Sequence, residues 1–168
     1  MTTRLWESHN AIKVIVLVFV LLLTLEMPSL AAGESESSND SLPLDTVTTL
    51  FADWNRGDLR AMSKLFVQEP SVTDVFPRFH WQGKRAFKNW LSDLDKSNIK
   101  EGFTDLFFDV GTPQSIDVEG TLAQVIVPVV IDLKHDGQPL TVPGLVNLVL
   151  RQKRSSWKIT SFTWTSTN

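Results

Sequence analysis

The sequence predicts an α+β domain in which three helices precede a curved, mainly antiparallel sheet. Apolar residues recur with a helical period between Val47 and Leu94, the period becomes strand-like from Phe103 onward, and the two regimes do not alternate. Helices grouped ahead of strands pack on one face of an antiparallel sheet, whereas strict alternation would give a parallel one.

The elements follow in chain order. Val47, Leu50, Phe51 and Trp54 fall at i, i+3, i+4 and i+7 and define one apolar face, with Ser41 or Asp45 as cap and Asn55-Arg56-Gly57 as the stop. Asp58 caps a second helix carrying Leu59, Met62, Leu65 and Phe66, which Pro70 ends. Ser71–Phe76 reads as a short strand closed by Pro77. Phe87, Trp90, Leu91 and Leu94 place a third helix over Lys84–Lys96. Strands are expected at Phe103–Val110, Leu122–Lys134, Leu140–Arg151 and Trp157–Thr165. Asp136-Gly137 is a two-residue hairpin signal, and Arg151–Ser156 is a polar turn. A sheet of this kind wraps an apolar cavity wherever its concave side is incompletely filled.

Composition removes several function classes. The 168 residues are enough for one globular unit, and 16 Lys+Arg against 19 Asp+Glu leave a net charge of −3 with no basic footprint for nucleic acid. Without cysteine there is no disulfide scaffold, thiolate zinc site or cysteine nucleophile. The sequence contains no Gly-rich nucleotide loop, nucleophile elbow or zincin motif, so neither a cofactor nor a metal is expected.

The first 32 residues read as a signal peptide. Arg4 and Lys13 precede the apolar run Val14–Leu25, Glu26 stops it short of a membrane span, and small residues at Ala31, Ala32 and Gly33 offer cleavage sites. Loss of this segment removes two charges of each sign, leaves the net charge at −3 and leaves no membrane span. Residues 33–41 form a polar, low-complexity leader, and the folded domain is expected over 42–168. The expected location is outside the cytoplasm, in a periplasm or the medium.

The stretch Trp54-Asn-Arg-Gly-Asp-Leu-Arg-Ala-Met-Ser-Lys-Leu-Phe, running on to Val72-Thr-Asp74, resembles the opening of the nuclear transport factor 2-like superfamily, which includes ketosteroid isomerase and the SnoaL-like cyclases. Gly83-Lys-Arg-Ala-Phe87 and the closing Trp157-Lys-Ile-Thr-Ser-Phe162 are similar to later family segments. The resemblance implies a cone-shaped cystatin-like α+β barrel that binds a small apolar, aromatic or polycyclic molecule. It also implies cofactor-independent isomerase or lyase chemistry with a carboxylate base, or a non-catalytic dimeric binding or assembly module.

On this resemblance Asp74 matches the family's general base. A carboxylate between Val72 and Phe76 would be partly desolvated, which raises its pKa; an aspartate at the sheet rim is the plainer reading. His80 is a candidate proton shuttle or a loop histidine, and Arg78 a candidate partner for Asp74. The family's oxyanion-binding tyrosine falls on Leu50, and its second acid falls near Asn147, where an amide is either a weaker donor or a core amide. Trp54, Phe76, Trp81 and Asn147 are the candidate ligand-binding residues. The apolar runs Val125–Ile131 and Leu145–Leu150 leave an outward sheet face that a homodimer would cover.

Overall fold

The computed structural model describes residues 41–167. The expected signal peptide, and the expected leader apart from Ser41, lie outside the described residues. Helices α1 (Ser41–Asn55) and α2 (Leu59–Leu65) precede strand β1 (Phe66–Thr73). Strand β2 (His80–Gln82) and helix α3 (Ala86–Glu101) lead into β3 (Phe103–Val110), β4 (Ser115–Glu119), β5 (Leu122–His135), β6 (Gln138–Lys153) and β7 (Ser156–Ser166). The helices pack on one side of a mixed sheet of order β2-β1-β7-β6-β5-β3, in which β1 and β7 are parallel and the other pairs antiparallel. The sheet is open and does not close into a barrel.

The family-like opening serves the fold. Asn55 Nδ2 donates to the Phe108 carbonyl at 2.8 Å while its Oδ1 accepts from the Phe108 N–H at 2.9 Å, pinning the end of α1 to β3. Gly57 takes φ +71°, which an L side chain resists, and Asp58 caps α2 by accepting from the Ala61 N–H at 2.8 Å.

Several boundaries differ from the sequence expectation. Phe66 continues the helical period, yet it leaves α2 to pair with Ile159 of β7, because a buried ladder position outweighs one more helical residue. Pro70 lies within β1 instead of ending a helix. It has no N–H for the ladder, and here five steps of β1, from Phe66 to Ser71, pass two steps of β7, from Ile159 to Ser161. β4 was not expected; it continues the line of β3 along the β5 edge after the break at residues 111–114. The Asp136-Gly137 turn is a two-residue loop with φ +49° and +80°, as its sequence predicts, and it sets Gln138 opposite His135.

Side chains of β5, β6 and β7 alternate across the sheet. Ala123, Val125 and Val127 of β5, Val146, Leu148 and Leu150 of β6, and Ile159, Phe162 and Trp164 of β7 are buried under the helices with Val47, Leu50, Met62 and Trp90.

Candidate functional site

The core is not filled along the whole sheet. Toward the far ends of β5 and β6 it opens into a cavity of about 230 Å³ walled by Phe51, Trp54, Leu94, Phe108, Val146, Phe162 and Trp164. Phe103, Leu106, Ile131, Leu133 and Val142 extend the same apolar wall. Among the described residues three polar side chains face this space: Asp74, Ser97 and Asn98.

Asp74 is the first residue past β1, at the start of the loop that returns to β2. The loop is held by backbone bonds from the Asp74 N–H to the Phe79 carbonyl and from the Phe79 N–H to the Phe76 carbonyl, with Arg78 and Phe79 both at positive φ. The carboxyl is buried. Its Oδ2 accepts from the Trp90 indole Nε1–H at 2.8 Å, and its Oδ1 accepts from the Val75 N–H at 2.7 Å. Burial pushes the Asp74 carboxyl above its ordinary value, and the two hydrogen bonds draw it only part of the way back. Two of the carboxylate's four lone-pair directions are thus used, which leaves it able to accept a further proton or hydrogen bond.

Trp90 is fixed in turn. Its ring meets Trp54 edge-on at 5.3 Å and packs on Phe162 at 5.0 Å, while Trp54 lies tilted against Phe108 at 4.2 Å. An aromatic wall that holds the donor also holds the acid.

Of the candidate residues singled out in the sequence, Asp74, Trp54 and Phe76 line the cavity together, and His80, Trp81, Asn147 and Arg78 do not. His80 is exposed on β2, where its Nδ1 lies 3.3 Å from Thr73 Oγ1; the ladder partner it makes there turns it away from the acid. Trp81 is on β2, not in a loop. It is buried against Phe76 at 5.0 Å and donates its indole N–H to Asp93 Oδ2 at 3.0 Å, which holds that carboxyl below its usual range. Asn147 alternates with Val146 and Leu148 and therefore stands on the outer face of the sheet, where Gln124 Nε2 donates to its Oδ1 at 3.0 Å. Arg78 lies 3.7 Å from Asp93 and is a surface partner of that residue instead of Asp74.

Ser97, Asn98 and Trp164 were missed. The expected third helix stopped at Lys96, but α3 runs to Glu101 and ends at Gly102, whose φ of +72° is the left-handed helix stop. Trp90, Leu94, Ser97 and Asn98 stand at i, i+4, i+7 and i+8 on a single stripe, of which Leu94, Ser97 and Asn98 line the cavity. Gly102 after Ile99-Lys-Glu was the available signal for the longer helix.

Solved structures share this architecture. An NTF2-like protein with a cystatin-like fold from Novosphingobium aromaticivorans superposes with a TM-score of 0.62 at 13% identity, covering 96% of this chain and 93% of that one. The chain has the nuclear transport factor 2-like fold. A ketosteroid isomerase-like protein from Erwinia carotovora atroseptica matches with a TM-score of 0.61 at 13% identity over 79% of this chain and 98% of that one. The CaMKII hub of S. rosetta matches with a TM-score of 0.59 at 18% identity, over 75% of this chain and 95% of that one. No protein-family model and no curated protein matches the sequence. Among the described residues no helix is long and apolar enough to cross a membrane.

Proposed function

We propose that this NTF2-like domain is exported and binds a small, flat, apolar molecule in the cavity, where Asp74 moves a proton to or from the bound molecule. The observation that carries the reading is the buried Asp74 carboxyl facing a space walled mainly by aromatic and aliphatic side chains. A base whose pKa is raised toward working pH is a stronger proton acceptor than an exposed aspartate, and an apolar site keeps water from competing. The volume of about 230 Å³ lies below the roughly 300–1,000 Å³ of pockets for drug-sized ligands, which favours one or two rings over a tetracyclic ligand. Export rests on the charged and apolar pattern of the first 32 residues.

The test uses a two-ring enolisable ketone. The protein is expected to accelerate hydrogen–deuterium exchange at the α-carbon of 2-tetralone over buffer, and Asp74→Asn to lower that rate about 100-fold, the lower end for a positioned general base. Equal rates for the two proteins, both folded by circular dichroism, would sink the proton-transfer reading.

A second reading concerns the outer face of the sheet. Phe107, Leu122 and Val149 are exposed there, beside Ile126, Val130 and Leu145, and a second copy of the chain would cover them. The hub domain noted above shares the fold, which is consistent with a role in assembly. Sedimentation at micromolar concentration tests it, and a strict monomer would count against it. The two readings use opposite faces of one sheet and are compatible.

A further inference from the structure

We infer that the ligand carries a second oxygen at the end remote from Asp74, and that Ser97 and Asn98 are the residues that bind it. The inference rests on the cavity reading above and adds the ligand's polarity pattern to it.

The placement comes from α3. Trp90, which holds Asp74, and the pair Ser97/Asn98 lie on one stripe of the helix, seven and eight residues apart. At 1.5 Å per residue the pair is displaced from Trp90 by about 10–12 Å along the axis. Between them the stripe is apolar, with Leu94 facing the cavity. The polar groups facing the cavity are therefore grouped at two stations along an apolar wall.

The two stations differ in chemistry. At one, a carboxyl accepts, or donates when protonated, and already has its structural partners in Trp90 and Val75. At the other, a hydroxyl and a carboxamide each both donate and accept, and neither side chain hydrogen-bonds another described residue. Both side chains are partly exposed, so water can satisfy them in the free protein, and a ligand that displaces that water must offer a replacement partner. A bound hydroxyl or carbonyl oxygen would supply that partner. The ligand class this selects is a flat one- or two-ring ketone or phenol with oxygen at both ends.

The test compares 2-tetralone, which has oxygen at one end only, with 6-hydroxy-2-tetralone, which has it at both. Affinities for the full chain are read from quenching of the cavity tryptophans Trp54 and Trp164. The full chain is expected to bind the hydroxylated ketone about 5-fold to 10-fold more tightly, the worth of one hydrogen bond. Combining Ser97→Ala with Asn98→Leu should bring the ratio to about one, the ratio being taken within each protein so that a common change in affinity for both ketones cancels. Ser97→Ala alone, which keeps the helix and removes one hydroxyl, should lower the ratio partway and stands in if the double variant fails to fold. A ratio that survives in these variants overturns the assignment of the two residues. A ratio near one in the unaltered protein, with 2-tetralone still bound, overturns the second oxygen and leaves the cavity reading standing. No binding of either ketone removes the cavity reading itself, and this inference with it.

Discussion

The two ends of the sheet are built from the same three strands and filled differently. At one end Ala123, Leu150 and Ile159 form a row across β5, β6 and β7, and Val125, Leu148 and Phe162 form the next, all buried, with Phe162 at its border with the cavity. At the other end Ile131 and Val142 pair in the same way, yet they face a cavity. The closed end holds a buried indole N–H, that of Trp157, with no hydrogen-bond partner among the described residues. The open end collects Asp74, Ser97 and Asn98. Packing alone would favour filling both ends, since interiors reach the density of organic crystals. The contrast places the tight packing at the closed end and the cavity of the proposed function at the open one.

The largest effect that tests this contrast is a matched pair of truncations. Leu148→Ala, at the closed end, is expected to cost about 3–4 kcal/mol, because transfer energy is lost and a new void is left there. Leu133→Ala, beside the cavity, should cost under about 1.5 kcal/mol, since its side chain already borders empty space. Urea denaturation of the two variants measures both. Equal costs would mean that the cavity collapses around its lining in solution and that the two ends are alike.

Gly144 marks the boundary between the ends. It is buried in β6, and a Cβ there would collide with the ring of Trp164 and lie 2.5 Å from the Thr165 carbonyl oxygen. The missing side chain makes room for Trp164, which lines the cavity. Gly144→Ala should therefore cost roughly 1–3 kcal/mol and shift the emission of Trp164. A variant with unchanged stability and emission would show that this ring is not held by the glycine.

A filling substitution should act in the opposite sense. Val146→Phe points a larger side chain into the cavity and is expected to change stability by less than about 1 kcal/mol while abolishing 2-tetralone binding. The same exchange at Val125, in the closed end, should cost about 1–3 kcal/mol. Thermal melts with and without the ketone separate the two positions.

The unequal ends also explain what the sequence could reveal. Asp136-Gly137 sets the β5–β6 register through its own backbone preference, so it was readable locally. Asp74 drew notice because it matches a known opening, and Trp54 and Phe76 because aromatics suit a flat ligand, although the Asn55-Gly57-Asp58 part of that opening proves to hold a joint and a cap. Ser97 and Asn98 escaped because their side chains interrupt the apolar period just where α3 turns from packing to lining. Asn147 was misplaced by one face: with a two-residue period, an alignment uncertain by one position exchanges cavity for outer surface. Polar residues that line a cavity break the periodic signal that locates the surrounding element, and the site was correspondingly harder to read than the fold.

The smallest effect concerns the acid itself, and its sign is fixed by linkage. Burial raises the Asp74 carboxyl in the folded chain above the value of about 3.9 expected when unfolded. Between those two values the folded chain binds the extra proton, so stability falls as pH rises through that interval and is level beyond it. Asp74→Asn cannot titrate, and it still presents an oxygen to one of the two donors, Trp90 or Val75. The stability difference between the unaltered protein and this variant should then favour the unaltered protein most at low pH and narrow or reverse toward neutral pH. Thermal midpoints across pH 3.5–7.5, compared as differences so that titrations elsewhere cancel, measure it. A difference that instead grows with pH would mean that hydrogen bonds from Trp90 and Val75 outweigh burial and that Asp74 is an ordinary ionised anchor. The open end would then hold a structural carboxylate, and the contrast between the two ends would be one of packing alone.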